Sequence, residues 1–318
     1  MSNKPKILVI RLSAMGDIVL TTPVIRALYQ QLNAKIDFLT KSQHVTLLSN
    51  NTYINKIFSL ENDVNTLQYN KYDYVVDLQN NLRSWKIRAK MNTKSFVFNK
   101  KSFKRYLLIY FGIDLLKNHV VDRYFETIAK LNVINDNKGL DFNVSSSIKL
   151  DFDSNQTYIT WCLGGTHHPK KLSGDQITQV VSKLKVPVVL IGGDNDLEIA
   201  EHVLYNTESK LVYNFCGKLS IQESSYLIKK SKMLLTNDTG MMHIGSALKM
   251  PIISFWGCTK PSLGFSPYKT DSSSIQIISK KSASPCSKHG KHCKFGKNGC
   301  IKEIDPQEIY RAILCLLK

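Results

Sequence analysis

Four residues suited to handling an anion or a proton fall in one short stretch of the chain: Asp238, Thr239, Gly240 and His243. The stretch is LLTNDTGMMHIGSALKMPIISFWG, from Leu234 to Gly257. Met233 to Leu235 reads as the end of a buried strand. Thr236 to Gly240 reads as a polar turn, Met241 to Leu248 as a helix, and Pro251 to Phe255 as a second strand. Strand, turn, helix and strand form one βαβ unit. In such a unit the turn lies where the helix presents its free N–H groups, so an anion fits there. Thr239 supplies a hydroxyl and Gly240 a close backbone approach, while Asp238 and His243 are titratable. The plainer reading is an ordinary helix cap, in which Asp and Thr serve only the helix.

Other residues of this kind lie elsewhere. Asp17 follows Gly16 in the turn Ser13-Ala14-Met15-Gly16-Asp17, after an opening strand that ends at Arg11. Lys170 and Lys171 stand in the loop after a strand from Tyr158 to Leu163, and Glu198 follows the turn Gly192-Gly193. Asp194-Asn195-Asp196 mimics a D-x-D metal motif, but its place after a Gly-Gly turn predicts helix capping. Cys286, His289, His292, Cys293 and Cys300 include residue types that could hold zinc. No C-x-x-C pair is present, so this run is expected to be an unliganded basic loop, with metal binding or a disulfide the weaker alternative. Cys162, Cys216, Cys258 and Cys315 sit in apolar or helical context and are expected to be buried free thiols.

The elements that must position these residues alternate strand and helix from Lys6 to Leu131. This predicts a doubly wound α/β domain. Within it, Ile18 to Leu32 reads as one helix that Pro23 kinks or tightens near its start. A polar stretch follows, with the linker expected at Asp151 to Gln156. The same alternation then resumes from Tyr158. The expected domains are 1–153 and 154–318, and the last helix, Pro306 to Leu317, is a candidate to pack back on the first. Neither domain has a G-x-G-x-x-G fingerprint or a P-loop, which argues against a dehydrogenase and a P-loop NTPase.

The formal net charge is +18 over 318 residues. No acidic residue lies between Leu78 and Ile113, or from Ser272 to Lys302. Such fields attract polyanions, although a lysine-rich bias of the source genome gives the same composition. Phe96 to Phe111, FVFNKKSFKRYLLIYF, mixes lysines with aromatics and suits a membrane surface or anionic head groups. Its plainer reading is a core helix with a solvated basic face. No run of 18 apolar residues occurs, so no transmembrane helix is expected. The opening apolar run is interrupted by Arg11 and reads as a strand rather than a signal segment. A cytoplasmic location is expected, with peripheral contact at the inner face of the inner membrane compatible with the charge.

Three separated stretches resemble the ADP-heptose:lipopolysaccharide heptosyltransferases, glycosyltransferase family 9. They are ILVIRLSAMGDIVLTTPVIRAL, LGGTHHPKKLS, and NDTGMMHIGSAL followed by PIISFWGCTKP. The resemblance spans nearly the whole chain. It implies a GT-B fold, two Rossmann-like domains facing a cleft. It also implies metal-independent, inverting transfer of a sugar from a nucleotide to a lipopolysaccharide core, with no cofactor. Asp17 then stands at the family's catalytic base, and Arg11, Ser13 and Gly16 are expected to shape its turn and meet the acceptor. Thr166, Lys170, Glu198, Asp238, Thr239, Gly240, Met242 and His243 are expected to bind the donor. The middle motif lacks the family's Trp-Pro after its basic pair, so the phosphate contact stays open between Lys170 and Lys171. The expected partners are an ADP-sugar and an anionic lipopolysaccharide precursor, with no nucleic acid. The alternatives are another nucleotide-sugar donor on the same scaffold, and a non-catalytic basic protein that binds polyanions.

Overall fold

The computed structural model describes residues 4–67, 70–145, 148–297 and 299–317. The chain divides into two compact units. One holds residues 1–101 and 118–143, the other 102–117 and 144–318. The division falls after Asn143 rather than at the expected 153/154 boundary, and residues 102–117 leave the first half for the second unit.

The first unit is built on β1 (Lys6–Ile10), α1 (Met15–Val19), α2 (Thr22–Leu32), β2 (Lys35–Thr40), β3 (Lys56–Ser59), α3 (Leu60–Asp63), β4 (Tyr74–Asp77), α4 (Leu82–Met91) and β5 (Ser95–Val97). After the excursion of α5 (Ser102–Phe111) the chain returns with α6 (Val120–Ile128). The sheet order is β3-β2-β1-β4-β5, and every pairing is parallel. Ile7, Leu8, Val9 and Ile10 have no exposed surface, as a central parallel strand requires. The expected helix from Ile18 to Leu32 is two helices. Proline has no N–H and crowds the carbonyl four residues back, so the chain restarts with Pro23 in the first turn of α2. The Thr21 and Thr22 hydroxyls cover the break by donating to the Ile18 and Val19 carbonyls at 2.7 Å.

The second unit adds β6 (Ile159–Cys162), α7 (Gly174–Val181), β7 (Val188–Ile191), α8 (Leu197–Tyr205), β8 (Val212–Asn214), α9 (Ile221–Lys230), β9 (Leu234–Asn237), α10 (Gly240–Ala247), β10 (Ile252–Trp256), β11 (Ile275–Ile278) and α11 (Pro306–Leu317). The sheet order is β11-β10-β9-β6-β7-β8, again all parallel. Trp161, Ile177, Val180, Leu190, Leu235 and Phe255 fill its core. The buried residues of α11, Ile309 and Ile313, join that core. The last helix therefore packs on the core of its own unit. Leu108, Ile109 and Leu116 cluster with Leu263 and Phe265, which explains why α5 belongs to the second unit.

Arg26 closes the first unit. Its side chain is 3% exposed and bonds both oxygens of Asp136 at 2.7 and 2.8 Å, together with Asp141 and the Gly139 carbonyl. The Arg26 hydrogen bonds hold the Asp136 carboxyl below its ordinary value. That contribution is present above the unfolded carboxyl pKa and is lost as pH falls through the folded one. Arg26→Ala is expected to cost α2 about 2–3 kcal/mol, below the full buried-pair penalty because the carboxylates are partly solvated. Hydrogen exchange across Thr22–Leu32 reads this directly. Wild-type protection should decline on acidification below about pH 5, and the variant should be weaker and less pH-dependent. Unchanged α2 protection in the variant would remove this anchor from the account.

Candidate active site

In the second unit the strand order reverses beside β6. The chain runs from β6 outward to β7 and β8, then returns to place β9 on the other side of β6. Turns that follow β6 and β9 are therefore neighbours at the carboxyl ends of adjacent strands, where open α/β sheets bind ligands. Asn237, the last residue of β9, is 2% exposed and ties the two turns together. Its amide donates to the Leu163 and Gly164 carbonyls at 3.0 Å each.

The turn after β9 does not cap its own helix. Thr239 occupies the N-cap position of α10, yet no side chain caps the helix there. The Thr239 hydroxyl meets the Thr236 hydroxyl at 3.2 Å instead. The first-turn N–H groups, beginning at Gly240, thus carry their partial positive charge without a side-chain cap. Asp238 turns toward the neighbouring loop, where its Oδ2 accepts from Lys170 Nζ at 2.7 Å. An ammonium has three donors, so an ammonium held by Asp238 retains donors for an anion.

This geometry separates the two adjacent lysines. The turn His168–Lys170 sends Lys170 to Asp238. Lys171 is buried and pairs with Asp196 Oδ1 at 2.5 Å. Asp196 Oδ2 also accepts from the Gly193 N–H at 2.9 Å, so the D-x-D-like run has a structural task, as its Gly-Gly setting predicts. Burial first, then the charges of Lys170, Lys291 and His292, push the His167 imidazole below its ordinary value, which marks this loop as electropositive.

Thr166 is exposed in the same loop, and Glu198 is exposed in the first turn of α8. His243 is 4% exposed within α10. Met242 has no exposed surface, so its expected contact with the nucleotide base is withdrawn.

The first unit repeats the device. Its strand order reverses between β1 and β4, and Asp17 lies in the first turn of α1 directly after β1. Arg11 Nη2 bonds Asp17 Oδ2 at 2.6 Å. Arg11 also donates to the Ser13 carbonyl at 2.8 Å and to the Leu78 carbonyl at the end of β4 at 2.6 Å. Burial opposes its charge, but Asp17, Tyr124 and Asp77 outweigh that and leave the guanidinium above its ordinary value. Arg11 is 8% exposed, so it positions Asp17 and is not free to reach an acceptor. Ser13 is half-buried, Gly16 buried, and Asp17 keeps a quarter of its side chain exposed.

Three contributors were missed in the sequence. Asn237 falls within the expected polar turn, although a polar side chain ending a buried strand must spend its amide on something. Gln79, next to the end of β4, accepts from the Leu12 and Ser13 N–H groups at 2.9 and 3.3 Å and supports the Asp17 turn. Cys258 joins Cys286, Cys293 and Cys300 in a cluster whose sulfurs lie within 4.8 Å of one another. His289 and His292 are exposed and outside that cluster. Burial pushes the Cys162 and Cys216 thiols up to about 11 and about 12, so both are unreactive, whereas Cys315 is exposed rather than buried.

The family model of glycosyltransferase family 9 (heptosyltransferase) matches residues 64–297. Lipopolysaccharide heptosyltransferase 1 of Campylobacter coli is 25% identical over 97% of this chain and 98% of its own. A crystal structure of a glycosyltransferase family 9 protein from Veillonella parvula superposes with a TM-score of 0.81 at 20% identity, covering 100% of this chain and 98% of that one. The Escherichia coli heptosyltransferase WaaC, solved with ADP, gives 0.73 at 15% identity over 98% and 99% of the two chains. The two structural likenesses show the α/β fold of the GT-B type. The match over residues 64–297 establishes that the chain belongs to glycosyltransferase family 9, the heptosyltransferase family.

Proposed function

We propose that this enzyme moves a heptose from an ADP-sugar to an anionic lipopolysaccharide core acceptor, with inversion at the anomeric carbon. One observation carries the donor half: the N-terminus of α10 lacks a side-chain cap, and Asp238 holds Lys170 beside it. The heptosyltransferase relatives support heptose and lipopolysaccharide, and WaaC was solved with ADP. The second unit binds the donor. The diphosphate lies on the first-turn N–H groups from Gly240, within reach of Lys170, with Thr166 and Glu198 as further polar contacts and His243 behind the turn. The first unit binds the acceptor at Ser13 and Gly16.

Asp17 acts as the base. It takes the proton of an acceptor hydroxyl while that oxygen attacks the anomeric carbon. The carbon–oxygen bond to the diphosphate breaks, and the ADP leaves with the electron pair. Lys170 and the helix dipole stabilise the charge that grows on the leaving oxygen, with no metal in this step. Arg11 fixes the direction of the Asp17 carboxylate.

Membrane contact belongs to α5. This helix exposes Phe103, Tyr106, Tyr110 and Phe111, at 72%, 50%, 64% and 64%, next to Lys104. No helix among the described residues is long and apolar enough to cross a membrane. Aromatic rings beside lysines fit the interfacial layer of an anionic bilayer.

Calorimetry with ADP-heptose, UDP-sugars and ADP tests the donor. ADP-heptose should bind best, and Lys170→Ala should weaken ADP by about 10–100-fold, the scale of a charge-assisted hydrogen bond. A UDP-sugar preference would change the donor, and binding of nucleic acid without any nucleotide-sugar would favour the polyanion-binding alternative. Asp17→Asn should lower kcat by about 10²–10⁴-fold with little change in ADP affinity. A variant that turns over normally would remove Asp17 from the chemistry. Phe103→Ser with Tyr110→Ser should reduce sedimentation with phosphatidylglycerol vesicles, and equal sedimentation would place membrane contact elsewhere.

A further inference from the structure

The four clustered cysteines have no part in the proposed transfer. Cys258 follows β10, and Cys286, Cys293 and Cys300 come from the basic loop before α11. Cys258, Cys286 and Cys300 are 0%, 7% and 1% exposed, and Cys293 is half-buried. The Cys258 and Cys300 sulfurs are 3.7 Å apart, and those of Cys286 and Cys293 are 3.9 Å apart. A disulfide would bring each pair to about 2.05 Å. Four bonds of about 2.3 Å from one tetrahedral ion instead set sulfur–sulfur edges near 3.8 Å. The separations are those of a metal cage and not of two disulfides.

The surroundings suit four thiolates on one divalent ion, which leave two negative charges in excess. The Phe295 N–H donates to the Cys293 sulfur at 3.4 Å. Lys260 is 2% exposed, with its ammonium on the Ser279 carbonyl at 2.6 Å and in electrostatic range of all four sulfurs. The Cys286 N–H donates to the Cys258 carbonyl at 2.8 Å, so the two arms of the cluster are also joined through the backbone.

The same loop lies against the turn that carries Lys170. Gly290 has φ +72°, and a Cβ there would come 2.4 Å from Cγ of Lys170. Gly299 has φ +78°, and a Cβ would come 2.6 Å from the Pro169 carbonyl oxygen. Only glycine fits both the left-handed backbone and the close approach. The charges of Lys291 and His292 also reach His167, in the same turn.

We propose that Cys258, Cys286, Cys293 and Cys300 bind one thiolate-seeking metal ion, zinc or mononuclear iron, and that this ion fixes the loop that backs Lys170. Binding displaces the thiol protons and closes a span of 42 residues between Cys258 and Cys300. Both ions accept a closed tetrahedron of sulfur, which leaves no open position for a reacting oxygen. The ion is therefore structural. The link to Lys170 rests on the donor reading above, whereas the metal site does not.

Elemental analysis of the full chain, purified under reducing conditions without chelator, should give about one ion per chain and should tell zinc from iron. Cobalt loading of the stripped, unsubstituted chain should give sulfur-to-cobalt charge transfer and tetrahedral d–d bands. Cys293→Ser, at the least buried ligand, should lose the ion, and Cys315→Ala should keep it. A chain with no bound ion and no cobalt–sulfur bands, or with Cys258–Cys300 and Cys286–Cys293 disulfides by mass spectrometry, would overturn the site. Stripping the ion should weaken ADP by about tenfold, the scale of disordering one or two side chains. Unchanged ADP affinity would overturn the link to Lys170 while the ion count stands. Failure of the unmodified, metal-replete chain to bind ADP would sink the donor reading alone.

Discussion

Parallel pairing decides where chemistry can sit in this chain. Every described strand pair runs in one direction, so within each unit all strand-following turns gather at one edge of the sheet. Each sheet then reverses its order beside its first strand, at β1/β4 and at β6/β9. A reversal sends the two connecting helices to opposite sides and leaves a crevice between the turns. The Asp17 turn and the Thr239-Gly240 turn each follow a strand beside such a point. In each unit a buried polar side chain crosses the reversal to hold the neighbouring turn. Arg11 reaches the Leu78 carbonyl, and Asn237 reaches those of Leu163 and Gly164. The two side chains differ in chemistry and solve the same problem.

Charge is spent in two ways. Part of the positive excess is consumed internally: Arg88 pairs with Asp77, Lys101 with Glu126, and Arg105 is buried. The basic stretch between Leu78 and Ile113 is therefore less of a free field than its composition suggests. The contrast between Lys170 and Lys171 makes the same point at one turn. Both have a carboxylate partner, but Lys171 is locked to Asp196 inside the unit, while Lys170 and Asp238 stand at an uncapped helix start. Lys171 also donates to the Asn195 carbonyl at 3.2 Å, so its ammonium is spent inside the unit.

The alternation of strand and helix and both key turns were legible in the sequence because their signals are local. Apolar runs end in short polar turns with glycine, and helices follow at once. What was not legible depends on distant contacts. Nothing local separates Lys170 from Lys171. Strand β11, Ile275–Ile278, is a short edge strand in which Ile277 is buried while Gln276 and Ile278 are exposed, so it carries no continuous apolar signal. Cys258 lies in an apolar setting typical of an inert thiol, and only the folded chain brings it to the other three sulfurs. Met242 shows the reverse error, since its place near the turn suggested contact, but helix phase sends it inward.

The excursion of residues 102–117 has a consequence for how the protein can be taken apart. The chain passes between the two units after Lys101, again after Lys117, and a third time after Asn143. No single cut releases both units whole. A fragment ending at the middle of the sequence would carry α5 away from Leu263 and Phe265 and leave its apolar side uncovered. Any hybrid that grafts one unit onto that of a relative must therefore exchange two separate segments together. Substrate preference in such a chain is inherited as an interrupted block, not as a half.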